Sequence, residues 1–122
     1  MRNHQSEEDY LERILVLQER NGKVRSIDIA NDMNFSKPSV SIAMKKLEEK
    51  KYIYVDNDTG FIFLTEEGKN IAEKIYHRHK TLTHIFIEIG VTPDVAEMDA
   101  CKIEHDLTDE TFEKLENHFK EN

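Results

Sequence analysis

The chain has 122 residues, enough for one ordinary domain or for two small modules sharing a core, and this excludes a multidomain enzyme. Hydrophobic residues make up 38% and charged residues 34%, with a mean hydropathy of −0.69, so a thin core lies under a heavily solvated surface. The net charge of −8 is uneven: residues 65–122 carry seven Lys/Arg against fourteen Asp/Glu, whereas between Asn34 and Tyr54 Lys37, Lys45, Lys46, Lys50 and Lys51 meet only Glu48 and Glu49, which leaves a polyanionic partner open.

No apolar run approaches the roughly 20 residues of a bilayer span, and the opening segment Met1 to Tyr10 lacks the apolar stretch of a secretory signal. The expectation is a cytoplasmic protein with no membrane partner. The single cysteine, Cys101, cannot close an internal disulfide and is expected as a thiol or a metal ligand.

Ser6 followed by Asp9 has the spacing of a helix N-cap with a carboxylate at the third position. Tyr10, Leu11, Ile14 and Leu15 then recur at helical spacing, predicting a first helix over 7–19 stopped by Asn21 and Gly22. Ser26 opens a short second helix over 27–32, and Ser36 caps a third over 37–49 with Pro38 in its first turn. The β-rich runs 52–55 and 61–64 flank an Asp/Asn/Gly turn at 56–60 and predict a hairpin. Thr65 caps a long fourth helix whose stripe is Ile71, Ile75, Leu82, Phe86 and Ile89, with Gly90 as its stop. Thr92 and Pro93 begin a fifth helix running to about Asp106, and Thr108 begins a sixth with Phe112, Leu115 and Phe119 on its apolar side. This order is that of a winged helix-turn-helix over 1–65 followed by a helical domain over 66–122, a mainly α fold with one small hairpin.

On the third helix Val40, Ala43, Met44 and Leu47 share the core side, leaving Ser36, Lys37, Pro38, Ser39, Ser41, Ile42, Lys45 and Lys46 as candidate DNA-binding residues. Hydroxyls and lysines suit phosphates and base edges, and an exposed isoleucine suits thymine methyls. A merely solvated basic helix has the same composition, and it is the short helix before and the hairpin after that favour DNA. On the fifth helix Cys101, Glu104 and His105 fall at i, i+3 and i+4, offering thiolate, carboxylate and imidazole from one sector, with Glu97 beside them. His79 lies within the apolar stripe of the fourth helix, whereas His77 and His84 point away. Asp9 and Glu12 stand one turn apart on the first. Each has an ordinary explanation; together they suggest a transition-metal site.

These residues resemble the short, manganese-regulator branch of the diphtheria toxin repressor family of metal-activated bacterial repressors, over nearly the whole chain. Ser6-Glu7-Glu8-Asp9-Tyr10-Leu11-Glu12 resembles the first-helix ligand motif, and Lys37-Pro38-Ser39-Val40-Ser41 the recognition helix. Leu64-Thr65 with Gly68-Lys69 looks like the exit from the wing, Arg78-His79 the fourth-helix ligand, and Cys101-Lys102-Ile103-Glu104-His105 the fifth-helix ligands. The resemblance implies Asp9, Glu12, His79, Glu104 and His105 as metal ligands, with Cys101 as a bridging or terminal one. It also implies a homodimer formed through the fifth and sixth helices, a palindromic double-stranded operator and activation by Fe²⁺ or Mn²⁺, with Co²⁺ and Zn²⁺ as substitutes. The chain mixes two branches: the manganese branch has Glu where Cys101 stands, and the iron branch has Cys there but Met where Asp9 stands. Thr83 and Glu97 occupy positions where the iron branch places further donors. The softer thiolate shifts the expected signal toward iron. Two other readings stay open, a metal-independent winged-helix regulator of the multiple-antibiotic-resistance type and a dinuclear metal hydrolase.

Overall fold

The structure, a computed structural model, describes residues 5–121. Its elements are α1 (Gln5–Asn21), α2 (Ser26–Met33), α3 (Lys37–Glu49), β1 (Ile53–Val55), β2 (Ile62–Leu64), α4 (Glu66–Glu88), α5 (Pro93–Ile103) and α6 (Asp109–Glu121). Among the described residues no helix is long and apolar enough to cross a membrane. The chain divides into two compact units, one up to Glu73 and one from Lys74, with the division inside α4.

In the first unit α1 contributes Leu11, Ile14, Leu15 and Leu17 to a core that also takes Val24, Ile29, Ala30, Val40, Met44, Leu47, Ile53 and Ile62. Among the described residues α1 already includes Ser6, so the expected Ser6 cap is not formed. α2 starts one residue earlier than expected because Asp28 reaches back, its carboxylate accepting from the Arg25 backbone N–H at 2.8 Å. Asn34, at φ 59°, closes α2 in the left-handed region, and the Phe35 N–H donates to the Ala30 carbonyl at 3.0 Å. That tight turn sets α3 against α2. Ser36 caps α3 as expected, its Oγ accepting from the Ser39 N–H, with Pro38 in the first turn.

The hairpin is antiparallel, pairing Ile53 with Leu64, Tyr54 with Phe63 and Val55 with Ile62. Each strand begins one residue later than expected. Tyr52 is drawn out of the ladder: its N–H donates to the Leu47 carbonyl and its carbonyl accepts from the Thr65 N–H. The same carbonyl requires a glycine at position 68, where a Cβ would lie 2.0 Å from the Tyr52 oxygen. Thr65 caps α4, accepting from the Gly68 N–H at 3.2 Å while donating to the Lys51 carbonyl at 2.7 Å, which ties wing to helix.

In the second unit Leu82, Ala100 and Phe112 form a small core with Phe86, Ile103, Leu107 and Leu115 packed against it. α4 ends in a Schellman turn, Gly90 N–H to the Ile87 carbonyl and Val91 N–H to the Phe86 carbonyl, with Gly90 at φ 109°. The expected stripe errs at its end: Ile85 is buried and Ile89 is exposed, because Ile89 lies past the last helical residue. α6 starts as expected, Thr108 Oγ1 accepting from the Thr111 N–H at 3.2 Å.

Candidate metal centre and nucleic-acid interface

α3 separates its two sides as its sequence spacing demands. Val40, Met44 and Leu47 are buried and Ala43 half-buried, while Ser36, Lys37, Pro38, Ser39, Ser41, Ile42, Lys45 and Lys46 are all exposed. Ile42 is 58% exposed among polar and basic neighbours, and burial in the core cannot account for an isoleucine there. Ser36 and Ser39 have a local role too, since Ser36 Oγ donates to Ser39 Oγ at 2.8 Å within the cap. The exposed side is therefore a basic, hydroxyl-bearing ridge with one apolar contact point.

The second unit gathers three of the six expected metal donors. Glu104 is fully buried, the one glutamate so placed among the described residues, and its Oε2 lies 2.9 Å from His79 Nδ1. Its other oxygen, Oε1, makes no hydrogen bond and lies 3.5 Å from His105 Nε2, on a side chain that is itself enclosed. Glu97 approaches from α5, its Oε1 3.8 Å from His79 Nε2. Burying an ionised carboxylate costs several kcal/mol in order of magnitude unless positive charge compensates it. Two imidazole nitrogens flanking one buried carboxylate are an N/O donor set that suits Mn²⁺, Fe²⁺, Co²⁺ or Zn²⁺, so these residues fit a divalent cation.

Glu104 and His105 do not come from the helix face that their spacing suggests. α5 stops at Ile103 rather than near Asp106; Glu104 is its C-cap, and the Asp106 N–H folds back to the Ile103 carbonyl at 3.0 Å. The two donors thus sit on the turn leaving α5. Cys101, on the last turn of the helix proper, is exposed, unlike Glu104 three residues on. Asp9, half-buried, and Glu12, buried, belong to α1 in the first unit and fall on one side of it.

Sequence reasoning singled out Arg78 only as part of a motif, and the structure gives it a larger place. It is buried; Nη1 donates to the carbonyls of Glu104 at 3.0 Å and Leu107 at 2.6 Å, and Nη2 pairs with Asp109 Oδ1 at 2.6 Å. Asp109 also meets Lys74 at 3.0 Å, and this lysine, with Arg78 behind it, holds the Asp109 carboxyl below its ordinary value of 3.8. A basic residue in the fourth helix facing two helix ends is a signal that the sequence carried only implicitly.

Residues 4–61 match the family described as iron dependent repressor, N-terminal DNA binding domain, and residues 65–121 match iron dependent repressor, metal binding and dimerisation domain. An uncharacterised HTH-type transcriptional regulator of Methanocaldococcus jannaschii is 39% identical over 113 residues, 91% of this chain and 90% of the relative. The transcriptional regulator MntR of Escherichia coli O157:H7 is 32% identical over 106 residues, 87% of this chain and 68% of the relative. Among solved structures, the manganese regulator SloR superposes with a TM-score of 0.79 at 30% identity, over 93% of this chain and 53% of that one. IdeR of T. acidophilum superposes with a TM-score of 0.80 at 26% identity, over 93% and 54%. The chain spans about half the length of these solved relatives.

Proposed function

The chain belongs to the diphtheria toxin repressor and manganese transport regulator family of metal-activated DNA-binding repressors, and from that premise we propose that it represses metal-homeostasis genes in the cytoplasm in response to Fe²⁺ or Mn²⁺. The observation that carries the metal part is the fully buried Glu104 carboxylate set between the nitrogens of His79 and His105. Asp9, Glu12 and Cys101 complete the donor set in this reading, on the strength of the family resemblance of their motifs. When bound, the cation supplies the positive charge and the coordination bonds that make one donor set of these side chains.

The chain's own residues do the rest. His79 and Glu104 hold each other in place from α4 and from the turn after α5, so little reorganisation is left for binding. Residues 66–122 form a homodimer through α5 and α6; Val95 and Met98, exposed on α5, supply apolar surface for a partner to cover. Residues 1–65 present α3 to the major groove, with Lys37, Lys45 and Lys46 toward phosphates, Ser36, Ser39 and Ser41 toward phosphates and base edges, Pro38 at the helix start and Ile42 toward a thymine methyl. A two-fold dimer then reads a palindromic operator, and donor capture favours the state in which the two reading helices match the half-site spacing. The chain is not an enzyme in this account.

Selection of operators from random double-stranded DNA, run anaerobically with Mn²⁺, with Fe²⁺ and with a chelator, tests the proposal. A palindrome enriched only with metal is the expected result. Equal enrichment in chelator would make this a metal-independent regulator, and metal-dependent phosphoester turnover without DNA affinity would make it a hydrolase.

A further inference from the structure

Arg78 precedes His79 in α4, and the two side chains serve different parts of one loop. His79 meets Glu104 through its ring, whereas Arg78 grips the main chain on either side of His105, at the carbonyls of Glu104 and Leu107. Those carbonyls fall where α5 has run out of helical partners, so without the guanidinium they would need water or another donor. The fork of Arg78 is fixed from three other directions: Asp109 at the first residue of α6, the Phe112 ring 5.2 Å away, and the enclosure of the side chain itself. Neither glycine nor proline ends α5 at Ile103; the residues after it are Glu104, His105 and Asp106. A guanidinium reaching over from α4, the helix that carries His79, takes up the Glu104 and Leu107 carbonyls of that turn.

We propose that Arg78 is a positioning residue for the metal donors, fixing the Glu104–Leu107 turn so that the Glu104 carboxylate and the His105 ring meet His79 before any cation arrives. The inference rests on the metal-site reading above and adds to it a residue that offers no donor atom to the metal. Outer contacts that orient metal ligands change affinity by about 10- to 100-fold when removed. The Asp109 contact anchors the guanidinium from its far side, while the two carbonyl contacts shape the loop, so the two kinds of contact separate by mutation.

The test uses the full-length protein and Co²⁺ alone, followed by calorimetry and by the ligand-field bands of the saturated complex, with circular dichroism and melting of the metal-free protein as the control for folding. Arg78→Lys keeps the charge and loses the fork; Arg78→Gln loses both, and if it does not fold the lysine variant carries the comparison. Arg78→Lys is expected to weaken Co²⁺ binding by about 10- to 100-fold and to alter the saturated spectrum, which reports donor geometry and is blind to stability. Asp109→Asn, which leaves both carbonyl contacts, is expected to bind Co²⁺ within about twofold of the parent by the same reasoning. Unaltered affinity and spectrum in Arg78→Lys would overturn the proposal whatever its melting temperature, and so would an equal loss in Asp109→Asn. A parent protein that binds no Co²⁺ would instead overturn the metal-site reading itself.

Discussion

Ile42 and Leu47 stand five residues apart on α3, 58% and 1% exposed, and this contrast gives the DNA-reading role of Ile42 a quantitative test. Truncating a buried leucine costs about 2–5 kcal/mol, and in a chain of this size each kcal/mol moves Tm by about 3–5 °C, so Leu47→Ala should lower Tm by roughly 10 °C or more. Ile42→Ala removes mostly solvated surface and puts a better helix former in place, a gain of about 0.4 kcal/mol, so its Tm should stay within about 3 °C of the parent. On DNA the order reverses. One methyl contact is worth about 0.8 kcal/mol, two symmetric half-sites about 1.6 kcal/mol, and that is roughly a 15-fold change in affinity. Anisotropy titrations at fixed salt, on the selected operator and on the same operator with uracil for thymine at each position, would show the parent losing affinity at one symmetric pair and Ile42→Ala indifferent there. A Tm loss comparable to that of Leu47→Ala, with discrimination between thymine and uracil unchanged, would refute the placement of Ile42 on the reading face.

Lys45→Ala and Lys46→Ala should each leave metal affinity unchanged and reduce the salt dependence of operator binding by about one counterion for each phosphate no longer neutralised, read from the slope of log K against log salt. For Cys101, Co²⁺ loading should give a thiolate charge-transfer band that disappears in Cys101→Ser, and Cys101→Glu should move the activation preference toward Mn²⁺; a missing band with an unchanged metal ranking would remove the thiol from the donor set. The Asp109 carboxyl titrates below its ordinary value of 3.8 because Lys74, and then Arg78, favour its charged form, so the stability it contributes is fully present above pH 3.8 and is lost as pH falls through the lower folded value. The Tm difference between parent and Asp109→Asn should accordingly hold steady above that pH and close below it; a difference that persists into strong acid would assign it to something other than the charge.

The features most legible in the sequence are those whose cause is local. Ser36, Thr65 and Thr108 each accept from a backbone N–H three residues on, an interaction written in the adjacent residues, and Gly90 ends α4 because position 90 takes a positive φ. The two sides of α3 follow from helical spacing alone. What was not legible is set from a distance. The end of α5 at Ile103 depends on Arg78, 26 residues before Glu104, and no local residue announces it. β1 starts late because the Tyr52 N–H answers to Leu47 at the end of α3. The start of α2 is the local exception: Asp28 takes the Arg25 N–H, which makes Arg25 the cap and Ser26 the first helical residue. At the candidate metal centre, spacing identified Glu104 and His105 as neighbours. It could not show that the glutamate is the buried member and Cys101 the exposed one.

Whether metal capture by these side chains controls DNA binding is read directly from operator affinity against free Mn²⁺ or Fe²⁺ for the parent, His79→Ala and Glu104→Gln. Coupling between two sites of this kind amounts to about 5- to 150-fold. A rise of that size is expected in the parent, reversed by a chelator, with no rise in either variant at unchanged fold and dimer mass. An operator affinity that is the same in metal and in chelator, or full stimulation in both variants, would contradict it.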